Sequence, residues 1–260
     1  MTEQEIEWDL LHYKWEQYGG RCDFTLNDFL SVYNLLRKFT TAEPLIIADL
    51  GCREGSSTSI LASYLKERKH GKVHAIDWYK TNVQYKDMFN KHMKNLKLDD
   101  YIIQYHMSNT EAYHMFKSQN QLFDFIFIDA SHAYKKVKED IDLWWNLLKP
   151  SGIISGHDCE FKIDANYNLD LTQNKYASEF SKGILNNRLY TRLGEYDVID
   201  NKIKITQNQN WDKVDGLGFY YDKDNDLRGL GIHPGAIVAI SEKFPNVAIE
   251  GDRIWWTQKS

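Results

Sequence analysis

Cysteine is scarce in this 260-residue chain, and its three copies, Cys22, Cys52 and Cys159, stand far apart. Without a C-x-x-C spacing they suggest neither a zinc knuckle nor a disulfide framework. No run of 18 apolar residues occurs, so no membrane-spanning helix is expected. The opening residues, MTEQEIEWDLL, are acidic and lack the basic-then-apolar profile of a signal peptide; a cytoplasmic protein with no membrane partner is expected. Nor is there an excess of basic residues. The formal net charge of −5 argues against a general electrostatic grip on nucleic acid, so no nucleic-acid partner is expected. Internal repeats and low-complexity tracts are also missing.

Apolar residues at 42% and charged residues at 27% are ordinary for a globular protein, while aromatics reach 14%. The length fits one elaborated domain or two small ones. The expected organisation is a single domain over 1–260, with a helical extension at 1–43 and an insertion at 160–230. Apolar spacing predicts helices over 4–18 and from Thr25, where Thr25 and Asp28 form a capping-box pattern. These two helices are expected to be scaffold rather than a lid. Strands are then expected at 45–50, 72–76, 101–106, 123–128 and 152–155. Helices alternate with them at about 56–67, 83–96, 110–117 and 134–148, and Pro150-Ser151-Gly152 reads as a turn. Such alternation predicts an α/β fold, a Rossmann-like, mostly parallel sheet with helices on both faces. After residue 158 the pattern weakens, apart from a hairpin near 198–203 and a short strand at 217–221. A helix starting at His233-Pro234-Gly235 and a terminal antiparallel hairpin close the chain.

The first strand runs into ADLGCREGSST. Gly51 and Gly55 permit a tight turn that brings backbone close to a ligand, and Ser56 starts a helix. Asp77 ends the next strand, where an acid can bind the two hydroxyls of a ribose. Together they indicate an adenosine-type cofactor. A nicotinamide fingerprint needs a glycine where Arg53 stands, because a pyrophosphate must sit against backbone N–H groups. Arg53 would obstruct that group, and Asp49 suits a cationic ligand. Both points favour S-adenosyl-L-methionine over a dinucleotide.

Residues 45–158 resemble the class I S-adenosylmethionine-dependent methyltransferases. The sequences Ala48–Ser57, Ile76-Asp77-Trp78, Phe125–His132 and Ser155–Asp158 look most like the sugar-modifying branch that includes macrocin-type and rhamnosyl O-methyltransferases. The resemblance implies that Asp49, Gly51 and Gly55 hold the methionine part and Asp77 the ribose, with Arg53 and Ser56 also among the cofactor-binding residues. It also implies that Trp78, Met107 and Ser108 flank the adenine, with Asp129 at the cofactor's edge.

Asp129 and Asp158, each at a strand end, could supply two carboxylates to Mg2+ or another divalent cation, which prefers oxygen ligands. His157 is a further metal or substrate candidate. In related catechol-type enzymes a lysine three residues after the first acid is the expected base; here that position is His132, as in the macrocin-type branch. A neutral imidazole can take a proton from a hydroxyl, so His132 is the expected catalytic base. Tyr134 and His233 are candidates for substrate contact, together with Trp211, Tyr220 and Tyr221.

The expected function is an S-adenosylmethionine-dependent, magnesium-assisted O-methyltransferase acting on a sugar, nucleotide sugar or glycosylated small molecule. Alternatives are a metal-independent N- or O-methyltransferase and a non-catalytic adenosine-ligand module. The resemblance leaves room for a homo-oligomer. Tyr134 and Lys138 share the Y-x-x-x-K spacing of short-chain dehydrogenases, but their place after the fourth strand and the glycine pattern are wrong for that family.

Overall fold

A computed structural model describes residues 24–80, 83–164, 166, 168–170, 189–190, 196–199, 202–205, 218–221 and 227–260. The expected helix at 4–18 and Trp211 lie outside the described residues. Among the described residues a sheet of seven strands runs in the order 248–250, 254–258, 148–156, 123–128, 46–50, 72–76 and 102–105. The chain divides into two compact units: residues 1–130, 143–155 and 258–260 form one, and 131–142 with 156–257 the other.

The first unit begins with α1 (Leu26–Leu36), followed by β1 (Ile46–Leu50), α2 (Ser56–Arg68), β2 (Lys72–Ile76) and α3 (Gln84–Asn95). Next come β3 (Ile102–Tyr105), α4 (Asn109–Ser118), β4 (Phe123–Ile128) and β5 (Leu148–Gly156), while α5 (Tyr134–Trp144), between β4 and β5 in the chain, belongs mostly to the second unit. β1 pairs in parallel with β2 on one side and β4 on the other, and β2 pairs in parallel with β3. The central strands are apolar and buried along nearly their whole length, as parallel strands covered on both faces must be.

The capping box that opens α1 is present: Asp28 N–H donates to Thr25 Oγ1 at 3.2 Å and Thr25 N–H to Asp28 Oδ2 at 2.7 Å. Such a cap stabilises a helix by about 1 kcal/mol. Tyr33 donates to Glu67 at 3.1 Å and packs edge-on to Tyr64, tying α1 to α2. Most of the residues of α1 are buried.

The strand-five expectation needs correction. Pro150, Ser151 and Gly152 lie inside β5 rather than forming a turn before it. Ser151 N–H donates to Lys259 O and Lys259 N–H to Gly152 O, both at 2.9 Å. Strand pairing with residues over a hundred positions away overrides the local turn composition, and the strain is taken up at Ser151, whose φ is 60°. Trp144 is core, against Phe123 and Phe116. Trp145 is half-buried, with Lys259 Nζ over its ring.

The second unit carries short antiparallel pairings. β6 (Lys162–Ile163) pairs with β7 (Leu169–Asp170), and β9 (Tyr196–Ile199) with β10 (Lys202–Ile205). β8 (Leu189–Tyr190), β11 (Gly218–Tyr221) and β12 (Leu227–Ile232) form a three-stranded sheet. The β9–β10 hairpin and β11 fall where the sequence placed them, and Tyr220 and Tyr221 lie on β11. Helix α6 (Pro234–Lys243) precedes the terminal hairpin of β13 (Ala248–Glu250) and β14 (Ile254–Gln258). Ser241 Oγ accepts Ile163 N–H at 3.1 Å, and Phe244 stacks on Trp255. Among the described residues no helix is long and apolar enough to cross a membrane.

Candidate active site

In the first unit, the turn after β1 is built around Gly51. Its φ is 86°, and a Cβ there would lie 2.4 Å from Ala130 Cα and from the Asp129 carbonyl. Only glycine satisfies both the left-handed backbone and the close approach of the β4 end. Gly51 and Cys52 N–H both donate to Ile76 O, at 2.9 and 3.3 Å, which locks the turn to the end of β2. Gly55, with φ 98°, is the residue before α2, and Ser56 opens the helix.

Asp77 stands just past β2 and is half-buried. Its Oδ2 accepts Arg53 N–H at 2.9 Å and its Oδ1 accepts Tyr79 N–H at 2.8 Å. A carboxylate has about four lone-pair sites, so about two remain for hydroxyls. Arg53 contributes through its backbone; its guanidinium lies over the Tyr85 ring and pairs with Glu54 at 3.4 Å. Sequence reasoning missed Tyr79. It is buried at φ 52°, its hydroxyl donates to Arg53 O at 3.1 Å and accepts from Gln104 Nε2 at 3.0 Å.

Asp49 has a different place from the one expected. It is fully buried under the turn, and its Oδ2 accepts the hydroxyls of Ser57 and Thr58, so it staples the start of α2 to β1. Its Oδ1 has no hydrogen-bond partner among the described residues. Burial pushes its carboxyl up to about 7, against the opposing pull of the two hydroxyls and with help from the charges of Asp129 and Asp77.

Trp78, Met107 and Ser108 come together as expected, lining a cavity of about 690 Å3 with Lys80, His106 and Glu111. Trp78 is 50% exposed rather than core, with Lys80 Nζ 4.7 Å from its ring centroid. Ser108 caps α4 in a capping box with Glu111. Asp129, at the end of β4, is half-buried and its N–H donates to Leu50 O at 2.9 Å.

The second unit gathers His132, His157, Asp158, Glu160 and His233. Asp158 has φ 65° and is 5% exposed. Its Oδ2 lies 2.8 Å from His132 Nε2; its Oδ1 lies 2.7 Å from His157 Nδ1 and 3.2 Å from His233 Nδ1. Burial alone would raise this carboxyl. The charge of His157, hydrogen bonds from His132 and His157, and the charge of His233 outweigh it and hold Asp158 well below the usual carboxylate range. An ionised carboxylate only accepts hydrogen bonds. Each nitrogen facing it therefore carries a proton, and in neutral His132 the lone pair is on Nδ1. The His132 side chain is 36% exposed.

His233, expected as a substrate contact, is buried at 4% exposure and bound to Glu160 twice, by Nδ1 to Oε1 at 2.8 Å and by its backbone N–H to Oε2 at 3.2 Å. Its ring meets that of His132 edge-on, with centroids 4.4 Å apart. A Cβ on Gly235 would lie 2.4 Å from His132 O, so glycine allows the first turn of α6 to reach the His132 loop. Glu160 was not singled out from the sequence; its place two residues past the Gly-His-Asp run was the available signal. Tyr134 turns elsewhere. Its hydroxyl meets Glu242 at 2.7 Å and Lys138 Nζ at 3.0 Å, so the Tyr–Lys spacing forms a real contact, but one that Glu242 neutralises at the surface.

A parallel sheet with a glycine turn after its first strand and an acid after its second is a Rossmann-like arrangement. A family model described as "Methyltransferase domain" matches residues 48–159. No curated protein matches the chain. Among solved structures, a putative O-methyltransferase from Klebsiella pneumoniae is 10% identical with a TM-score of 0.57, over 97% of this chain and 89% of that one. An O-methyltransferase from Bacillus cereus in complex with SAH is 14% identical with a TM-score of 0.53, over 100% of this chain and 92% of that one. At these identities the likeness speaks for the fold. Residues 48–159 thus match a methyltransferase-domain model, and the solved structures share the Rossmann-like fold.

Proposed function

We propose that the protein is an O-methyltransferase that moves the methyl group of S-adenosylmethionine to a hydroxyl of a sugar, nucleotide sugar or glycosylated small molecule. The observation that carries this reading is His132 Nε2 held 2.8 Å from the ionised carboxylate of Asp158. This pairing keeps the His132 lone pair on Nδ1, where it takes the proton of an acceptor hydroxyl. The cofactor, when bound, supplies a sulfonium-activated methyl whose departure needs no proton, so one base is sufficient. The Gly51 turn, open to close backbone approach, would hold the methionine part. The spare lone pairs of Asp77 would hold the ribose, and Trp78, Met107 and Ser108 would border the adenine.

Asp158 also fits a divalent cation. It stays ionised at neutral pH, and the three imidazole N–H groups leave about one of its lone pairs. Magnesium there would lower the pKa of the acceptor hydroxyl. His157 offers nitrogen, which magnesium disfavours, so it serves better as a brace for Asp158. The sugar-type acceptor is supported by the sequence resemblance of residues 45–158 to the sugar-modifying branch.

Calorimetry with S-adenosylmethionine, followed by methyl transfer from labelled cofactor to a panel of nucleotide sugars and glycosides, tests the reading. Binding with transfer to a hydroxyl is expected. Binding without transfer to any acceptor favours a non-catalytic module, and no binding overturns the proposal.

A further inference from the structure

Asp158 cannot hold His132 unless something holds Asp158. Its backbone is left-handed, with φ 65°, a strained state for a non-glycine residue that persists only where surrounding contacts fix it. Within the second unit two rings brace its Oδ1, those of His157 and His233. His157 is the neighbouring residue and moves with the same backbone. His233 comes from the start of α6, 75 positions later in the chain, and is an independent anchor.

That anchor is itself clamped. Glu160 receives both the ring N–H and the backbone N–H of His233, at 2.8 and 3.2 Å. One carboxylate gripping two atoms of one residue sets both its ring orientation and its tautomer, as carboxylates do for histidines that must present a fixed nitrogen. The Nδ1 proton of His233 thus bridges two buried carboxylates, Glu160 at 2.8 Å and Asp158 at 3.2 Å. Left without it, each would face a like charge in a dry environment, at high cost.

We propose that Glu160 and His233 are positioning residues for the His132 base: through Asp158 they keep the proton on His132 Nε2 and the lone pair on Nδ1. Neither needs to touch the acceptor. The inference rests on reading His132 as the base, and it adds that the reactive nitrogen is Nδ1 and that its orientation is set from the far side of Asp158.

The test is ring-nitrogen NMR of 15N-histidine-labelled full-length protein at neutral pH, with the His132 signals identified by their loss in His132→Gln. The wild type should show one His132 tautomer, protonated on Nε2. In Glu160→Gln and in His233→Leu the two His132 nitrogen resonances should move towards each other as the tautomers mix. His233→Asn, which retains a donor near the two carboxylates, should restore the wild-type separation. S-adenosylmethionine affinity, read by calorimetry, should stay within about twofold of wild type in all three.

An unchanged His132 signature in both Glu160→Gln and His233→Leu overturns the proposal. So does concurrent loss of cofactor binding, which would mark the pair as general scaffold. If the signature responds as expected while His132→Ala still transfers methyl at the wild-type rate, the positioning stands and the assignment of His132 as base falls.

Discussion

Asp49→Asn should make the protein more tolerant of alkaline conditions. Burial raises the Asp49 carboxyl from 3.8 to about 7. For an acid raised in the folded state, the folded protein binds more protons than the unfolded chain between those two values. Stability therefore falls as pH rises from about 4 to about 7, and the loss is complete above the folded value. A shift of about three units at about 1.4 kcal/mol each gives a penalty on the order of 4 kcal/mol at pH 8. Asparagine is neutral throughout. Its carbonyl can accept the hydroxyls of Ser57 and Thr58 as Oδ2 does now, and its amide takes the place of Oδ1. Denaturant unfolding of both proteins at pH 5 and pH 8 measures the effect. The variant should exceed wild type by about 1–2 kcal/mol at pH 5 and by about 4 kcal/mol at pH 8, so that its advantage grows by about 2–3 kcal/mol between the two. A stability difference that does not change with pH would refute the reasoning.

Gly51→Ala should cost about 2–4 kcal/mol of stability, because a left-handed backbone and a Cβ 2.4 Å from the β4 end must both be accommodated; thermal unfolding reads it. Asp77→Ala should weaken S-adenosylmethionine binding by about tenfold or more, through lost charge-assisted hydrogen bonds, as measured by calorimetry. Chelator should lower methyl transfer and added magnesium should restore it, with cofactor affinity unchanged; a rate indifferent to chelator would remove the cation from Asp158.

Much of the fold was legible because it is local. The bounds of β2 and β4 match the expectation, and the Thr25 capping box and the Gly51 turn follow from residue type and spacing. What escaped depends on long-range pairing. The turn composition of Pro150-Ser151-Gly152 yields to bonds with Lys259, a partner no window of sequence can show. Asp49 read as a ligand contact because an acid at that strand end suits a cationic ligand, whereas its bonds to the hydroxyls of Ser57 and Thr58 join β1 to the start of α2. His132 and Asp158 were both visible as chemistry-bearing residues. Their direct contact, and the clamp of Glu160 on His233, arise only when α6 closes on the His132 loop, which Gly235 permits.

The most direct measurement compares wild type with His132→Ala for methyl transfer from labelled S-adenosylmethionine to a hydroxyl acceptor, alongside cofactor affinity. Loss of the base should lower the rate by about 10²- to 10⁴-fold while affinity stays near wild type. A variant that transfers methyl at the wild-type rate would contradict the account.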